Sequence, residues 1–336
     1  MFLQKEQSTM KQYEDKELLE LIQNYIEHLS YTHKPENLYK PIEYVLGLGG
    51  KRIRPILMLM AYNLYKENVE KIYQQAAALE TYHNFTLLHD DLMDKADMRR
   101  NRPTVHKKWD ENTAILSGDA MLILSFKMMM ESCPADYISE VTATFSKAAL
   151  EVCDGQQLDM DFEKRLDVTV DEYMNMICLK TSVLLAASLR IGAILSGASA
   201  EDANLLYDFG IKMGLAFQLQ DDYLDVYADS SVFGKNIGGD ICSNKKTFML
   251  ITALEKSSGN DRTELEKWIN AKDFVAEEKI KAVTRIYNNV GVPDICTRKI
   301  NALYSEGLDI LEKVSVDDTL KNNLKNFTGK LMKRVL

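Results

Sequence analysis

The segment from Leu87 to His106 reads LLHDDLMDKADMRRNRPTVH, with aspartates at 90, 91 and 94 and arginines at 99, 100 and 102. The same i, i+1, i+4 spacing returns at Asp221, Asp222 and Asp225 in FQLQDDYLD. On a helix, residues four apart share a face, so Asp90 repels Asp94 and Asp221 repels Asp225. Asp is a common helix N-cap, and a single cluster of this kind reads as a cap or a solvated face. Two copies with one spacing, each after apolar residues and each within continuing helical pattern, need another reason. Hard carboxylate oxygens suit Mg²⁺, which prefers octahedral oxygen ligation and is usually held by a few carboxylates plus substrate phosphates. Two facing rows suit a metal-bridged diphosphate between them. No grouping of His and Cys for zinc lies nearby.

Basic stretches accompany the aspartates. Lys51, Arg52 and Arg54 lie in LGLGGKRIRP, a glycine-rich turn expected to open into a helix. Arg99 and Arg100 follow the first aspartate row, Lys180 sits in CLKTS, Lys235 in FGKNIGGD, and Lys245 and Lys246 in NKKT. The guanidinium fork matches phosphate oxygens, and a glycine-rich turn offers backbone N–H groups to an anion. Each cluster alone reads as a solvated face. The GxxxxGK[ST] phosphate loop is absent. Carboxylates and cations together imply a site for two polyanions, one bound through metal and one directly.

These residues require helices to position them. Six prolines, at 35, 41, 55, 103, 134 and 293, are separated by long stretches of helical periodicity with little strand-like alternation. Tyr73 to Asp94, Thr169 to Ile191 and Ile211 to Ala228 each read as helix. Breaks are expected at 46–51, around Pro103, at 132–135, 196–200, 233–240 and 291–293. The fold class expected is all-α, as one domain over 1–336; a split near 200 is conceivable, but the composition does not demand it. The chain has 336 residues, 46% of them hydrophobic and 27% charged, which allows a substantial buried core. A formal net charge of -9 argues against general nucleic-acid binding. The five cysteines are scattered without a CxxC pair, the usage of a reducing compartment. The N-terminus lacks the apolar core of a signal peptide. VLLAASLRIGAILSGASA is interrupted by Arg190 and two glycines and reads as a buried helix, not a membrane span. A cytoplasmic protein with no integral membrane segment is expected.

GGKRIRP, HNFTLLHDDLMD, RRNRPT, KT, FQLQDDYLD and FGKNIGGDICSNKKT occur here in the order seen in trans-prenyltransferases, the polyprenyl diphosphate synthases. The resemblance covers roughly 40–250. It implies the isoprenoid synthase fold, a helical bundle around a deep central cavity, and a homodimer. It implies head-to-tail condensation of isopentenyl diphosphate with an allylic diphosphate, assisted by Mg²⁺. By that resemblance Asp90, Asp91, Asp94, Asp221, Asp222 and Asp225 hold the metal ions. Arg99, Lys180, Lys235 and Lys245 touch the allylic diphosphate, and Thr181 and Gln218 match positions near the reacting carbons. Lys51, Arg54, His83 and Arg100 bind isopentenyl diphosphate. His83 lies seven residues before Asp90, on the same helix face. The family commonly has glycine where this chain has Asn101, a residue that tolerates left-handed backbone.

Family members set product length with residues upstream of the first aspartate. On an ideal wheel Thr86 and Tyr82 fall near the Asp90 side and Phe85 falls well off it. Phe85 followed by Thr86 resembles geranylgeranyl-making members, with farnesyl the alternative, and Tyr82 is placed to plug the pocket a turn deeper. A class I terpene cyclase would share the first row but carries a different second motif and has no need of GGKRIRP. A non-catalytic partner subunit would typically have lost aspartates that this chain keeps.

Overall fold

The computed structural model describes residues 10–29, 34–228 and 237–333. In order come α1 (Asp15–Glu27), α2 (Glu36–Gly47), α3 (Ile53–Asn63), a 3-10 turn (Val69–Ile72) and α4 (Tyr73–Met93). A two-stranded hairpin follows, β1 (Met98–Arg99) and β2 (Arg102–Pro103), then the single turn α5 (Val105–Lys108). Next are α6 (Glu111–Glu131), α7 (Ala135–Glu163), α8 (Val170–Ile177), a π-helical turn (Cys178–Ser182), α9 (Val183–Ser196) and α10 (Ala200–Tyr227). The last elements are α11 (Gly239–Cys242), α12 (Phe248–Lys256), α13 (Gly259–Asn270), α14 (Ala276–Asn289), α15 (Val292–Glu312) and α16 (Asp318–Lys333). The expected all-α class holds, with one short hairpin added.

Two helices are central because they are buried all round over much of their length rather than along one stripe. In α4 every residue from Gln75 to Tyr82 is buried. In α9 only Arg190 is not buried, and its guanidinium reaches Glu140 at 3.2 Å. The apolar run around Arg190 is thus a core helix. It approaches α3 so closely that a Cβ at Gly192 would lie 2.2 Å from the Met58 carbonyl oxygen. Helix α10 packs against α9 and α15 and contributes to both apolar cores, Leu206 and Phe209 to one and Leu215 and Leu219 to the other.

Local chemistry sets the ends. Thr169 and Glu172 form a reciprocal capping box at the start of α8. The Ser199 hydroxyl accepts from the Asp202 N–H at the start of α10, and Gly197 closes α9 with φ 80°. Arg52 departs from the sequence reading. Rather than joining a basic surface, it sits at the start of α3 with φ 47° and a wholly buried side chain. It pairs with Glu80 at 2.7 Å and donates to the Leu46 carbonyl at 2.7 Å and to Gln23 at 2.9 Å. Arg52 therefore pins the glycine-rich turn to α4.

Candidate active site

The first aspartate row occupies the end of α4: Asp90 and Asp91 in the last turn and Asp94 as its C-cap. Carboxylates at a helix C-terminus face the negative end of the helix dipole, so this arrangement is unfavourable without cations. Arg99, on β1, supplies one. Its Nε donates to Asp91 at 2.7 Å, and its Nη2 lies 4.0 Å from Asp90. Lys180 supplies another, 3.8 Å from Asp90. Burial, reinforced by Asp90, still raises the Asp94 carboxyl above its usual range.

The second row lies in the last two turns of α10. Asp222 is buried; it accepts from the Tyr173 hydroxyl and from Gln218 Nε2 at 3.2 Å. Burial pushes its carboxyl up to about 7 against the opposing pull of Lys245. Asp225 has a partly structural task, accepting the Asp240 N–H at 2.9 Å through its side chain and the Gly238 N–H at 2.7 Å through its carbonyl. Lys245 lies 3.9 Å from Asp240, and the surrounding carboxylates raise its own pKa. Lys235 lies outside the described residues.

Asp159 of α7, which the sequence reading missed, stands between the rows. It pairs with Lys180 at 2.6 Å, and its charge bears on both Asp94 and Asp240. Asp240, also missed, is raised to about 6, first by burial and then by Asp225, Asp221 and Asp159. Two signals were available: GQQLD places Asp159 one turn beyond Gly155, and GGDIC places Asp240 behind a glycine pair. Among the described residues no three carboxylate, imidazole or thiol groups converge to hold a metal unaided. The donor set nevertheless fits hard divalent cations: carboxylates on two helix ends, mutually repelling, with a third between them.

A second cationic site forms where the glycine-rich turn meets the β-hairpin. Met98 pairs with Pro103 and Arg99 with Arg102, leaving Arg100 and Asn101 as a two-residue turn. Both have positive φ, 51° and 59°, the twist-matched hairpin turn, and Asn101 adopts the left-handed backbone expected of it. Arg100 donates to the Gly49 carbonyl and lies flat on Gly50, where a Cβ would come within 2.7 Å of Nη2. Lys51 is exposed beside it. Burial lowers Arg54 to about 10, and its Nε has no hydrogen-bond partner within the protein. His83 is held neutral by burial and by Arg54, Arg100, Arg99 and Arg52. Crowded, partly desolvated guanidiniums around a neutral imidazole make a site for an anion.

One cavity of about 340 Å³ connects the first aspartate row and Lys180 with Arg54 and His83. Arg54, His83, Asp90, Lys180 and Thr181 line its polar side; Phe85, Thr86, Val152, Met160 and Leu184 line its apolar side. Thr181 donates to Gln218 at 3.1 Å, linking the π turn to Asp222. Phe85 does line the cavity, contrary to the helical wheel, because the space between α4 and α7 spans more than one face of α4. Tyr82 is fully buried behind it, with ring centroids 5.5 Å apart, and its hydroxyl donates to the Ala149 carbonyl at 2.9 Å. Phe145 and Phe126 back this floor, an aromatic set assembled from three helices that no local motif announces.

The polyprenyl synthetase family profile matches residues 35–287. A geranylgeranyl diphosphate synthase of Methanosarcina mazei is 39% identical over 289 residues, covering 85% of this chain and 87% of that protein. A crystal structure of a geranylgeranyl pyrophosphate synthase is 41% identical with a TM-score of 0.91, covering 96% of this chain and 99% of its own. The geranylgeranyl pyrophosphate synthase of Corynebacterium glutamicum, solved with isoprenyl diphosphate and magnesium, is 26% identical with a TM-score of 0.82, covering 95% and 97%. With the two aspartate rows, the cationic turn and the shared cavity in place, the chain belongs to the polyprenyl synthetase family of trans-prenyltransferases.

Proposed function

We propose that this chain is a short-chain synthase, one polyprenyl synthase domain that joins isopentenyl diphosphate head to tail to allylic diphosphates and ends at geranylgeranyl diphosphate. The observation that carries the reading is the single cavity, with Arg54 and His83 near Asp90 and Lys180 on its polar side and Phe85–Thr86 on its apolar wall. The aspartates of both rows would hold Mg²⁺. When bound, it would supply positive charge that favours departure of the allylic diphosphate.

The protein's own groups do the rest. Arg99, Lys180 and Lys245 hold the allylic diphosphate, while Lys51, Arg54, His83 and Arg100 hold isopentenyl diphosphate without metal. His83 stays neutral and so donates a hydrogen bond rather than adding charge. Thr181 and Gln218 sit where the reacting carbons meet. The apolar wall excludes water from the allylic cation. The isopentenyl double bond attacks that cation, the new C–C bond forms, and a proton leaves to the released diphosphate. Phe85 and Thr86 meet the growing tail, and Tyr82 acts by fixing Phe85.

The working unit is a homodimer. Ile115, Leu116 and Ile123 on α6 and Leu150 on α7 are 46%, 60%, 70% and 69% exposed, an outer apolar face that a second copy would cover. The five cysteines are free thiols, in keeping with the cytoplasm. The test of activity is consumption of isopentenyl diphosphate with farnesyl diphosphate as primer. Turnover is expected with Mg²⁺ and none with a chelator; consumption that ignores the chelator would refute the metal role. Sedimentation of Ile123→Glu should show the monomer.

A further inference from the structure

The π-helical turn Cys178–Ser182 inserts an extra residue between α8 and α9, and its widened backbone must be accommodated by the neighbouring helices. On one side is Gly155 of α7, where a Cβ would fall 2.2 Å from the Lys180 amide nitrogen and 2.6 Å from its Cα. On the other is Gly214 of α10, where a Cβ would fall 2.6 Å from both the Cα and the Cβ of Ser182. Both approaches are to atoms of the turn that cannot swing aside, unlike the end of a flexible side chain. Neither glycine has a left-handed backbone, so conformational freedom does not explain them. Space does.

We propose that Gly155 and Gly214 are positioning residues that clamp the π turn, fixing Lys180 and Thr181 at the cavity. The inference rests on the synthase reading above. Lys180 leaves the clamp with its ammonium 2.6 Å from Asp159 and 3.8 Å from Asp90, and Thr181 with its hydroxyl 3.1 Å from Gln218. A methyl group on either glycine displaces the turn and carries both side chains off these partners. The cationic turn that takes isopentenyl diphosphate lies on α3 and the hairpin, so the clamp acts on one substrate and not the other.

The experiment is steady-state kinetics on wild type, Gly155→Ala, Lys180→Ala and the double variant, with Lys147→Ala, an exposed change two turns earlier on α7, as control. Gly155→Ala should lower kcat/KM for the allylic substrate about 10²-fold while KM for isopentenyl diphosphate stays within about twofold. Adding Gly155→Ala to Lys180→Ala should cost less than it does alone, since the part of its effect that runs through Lys180 is already lost and only the part through Thr181 remains. Equal changes in both substrates' KM, or additive losses, would overturn the clamp. If Gly155→Ala does not fold, Gly214→Ala carries the same expectation, and collapse of both would show a purely architectural role. An inactive wild type refutes the synthase reading itself, whereas an active wild type with an unaffected Gly155→Ala refutes only the clamp.

Discussion

The Lys180 ammonium bridges Asp159, at 2.6 Å, and Asp90, at 3.8 Å, so one cation on a π turn ties α7 to the first aspartate row. The row is therefore partly neutralised before substrate arrives, by Lys180 on one side and Arg99 on the other. Residual repulsion remains, as the raised Asp94 carboxyl indicates.

Asp90→Ala should lower turnover by at least about 10²-fold, the scale on which a misplaced reacting group costs rate. Its melting temperature in metal-free buffer should stay level or rise slightly, because one like charge at the negative end of α4 is gone. A variant that unfolds, or one that keeps full activity, contradicts the metal-binding role.

Asp222 gives a pH dependence with a definite sign. Its folded pKa of about 7 stands above the ordinary carboxylate value of 3.8, so the fold favours the neutral form. Its contribution to stability is whole below pH about 4 and is lost as pH rises through about 7. Asp222→Asn stays neutral throughout. Without metal, its stability relative to wild type should therefore grow between pH about 4 and 7 and level off above, by a few kcal/mol at most. Denaturant melts across that range decide it; a difference that does not change with pH would contradict the assignment.

Arg52 and Arg54 stand two residues apart and should behave oppositely. Arg52→Ala leaves Glu80 buried without its cation and should cost about 3–5 kcal/mol in urea unfolding. Arg54→Ala removes a guanidinium whose Nε has no protein partner, so stability should hold or rise while KM for isopentenyl diphosphate increases about tenfold or more. Reversed outcomes would exchange their roles.

Product length should respond to the cavity wall. Phe85→Ala opens space beside Tyr82 and should add at least one isoprene unit, at a cost of about 3 kcal/mol in stability. Thr86→Phe narrows the same wall and should shift products toward farnesyl diphosphate. Tyr82→Phe removes the hydroxyl's bonds to the Ala149 carbonyl and to Cys153, costing about 1 kcal/mol without changing length. Chromatography of dephosphorylated products reads all three.

Much of this was legible in the residues. Helix boundaries at Gly47, Glu131, Ser196 and Val292 fall where glycine, serine or proline punctuates the pattern. Repeated aspartate spacing is a local signal, and so is GGKRIRP, and both reached the cavity or its edge. The features that were hidden depend on partners distant in sequence. Arg52 looks like a surface cation until Glu80 is packed against it. Phe126 and Phe145 are ordinary apolar residues until Tyr82 lies between them and Phe85. The π turn has no pattern of its own, and the two glycines that leave room for it lie on other helices.

The most direct measurement is product analysis with Mg²⁺ and isopentenyl diphosphate, offering dimethylallyl, geranyl or farnesyl diphosphate as primer. A ladder that ends at geranylgeranyl diphosphate is expected from the Phe85–Thr86 wall. A stop at farnesyl diphosphate would contradict that wall as the limit, and no elongation from any primer would contradict the synthase assignment.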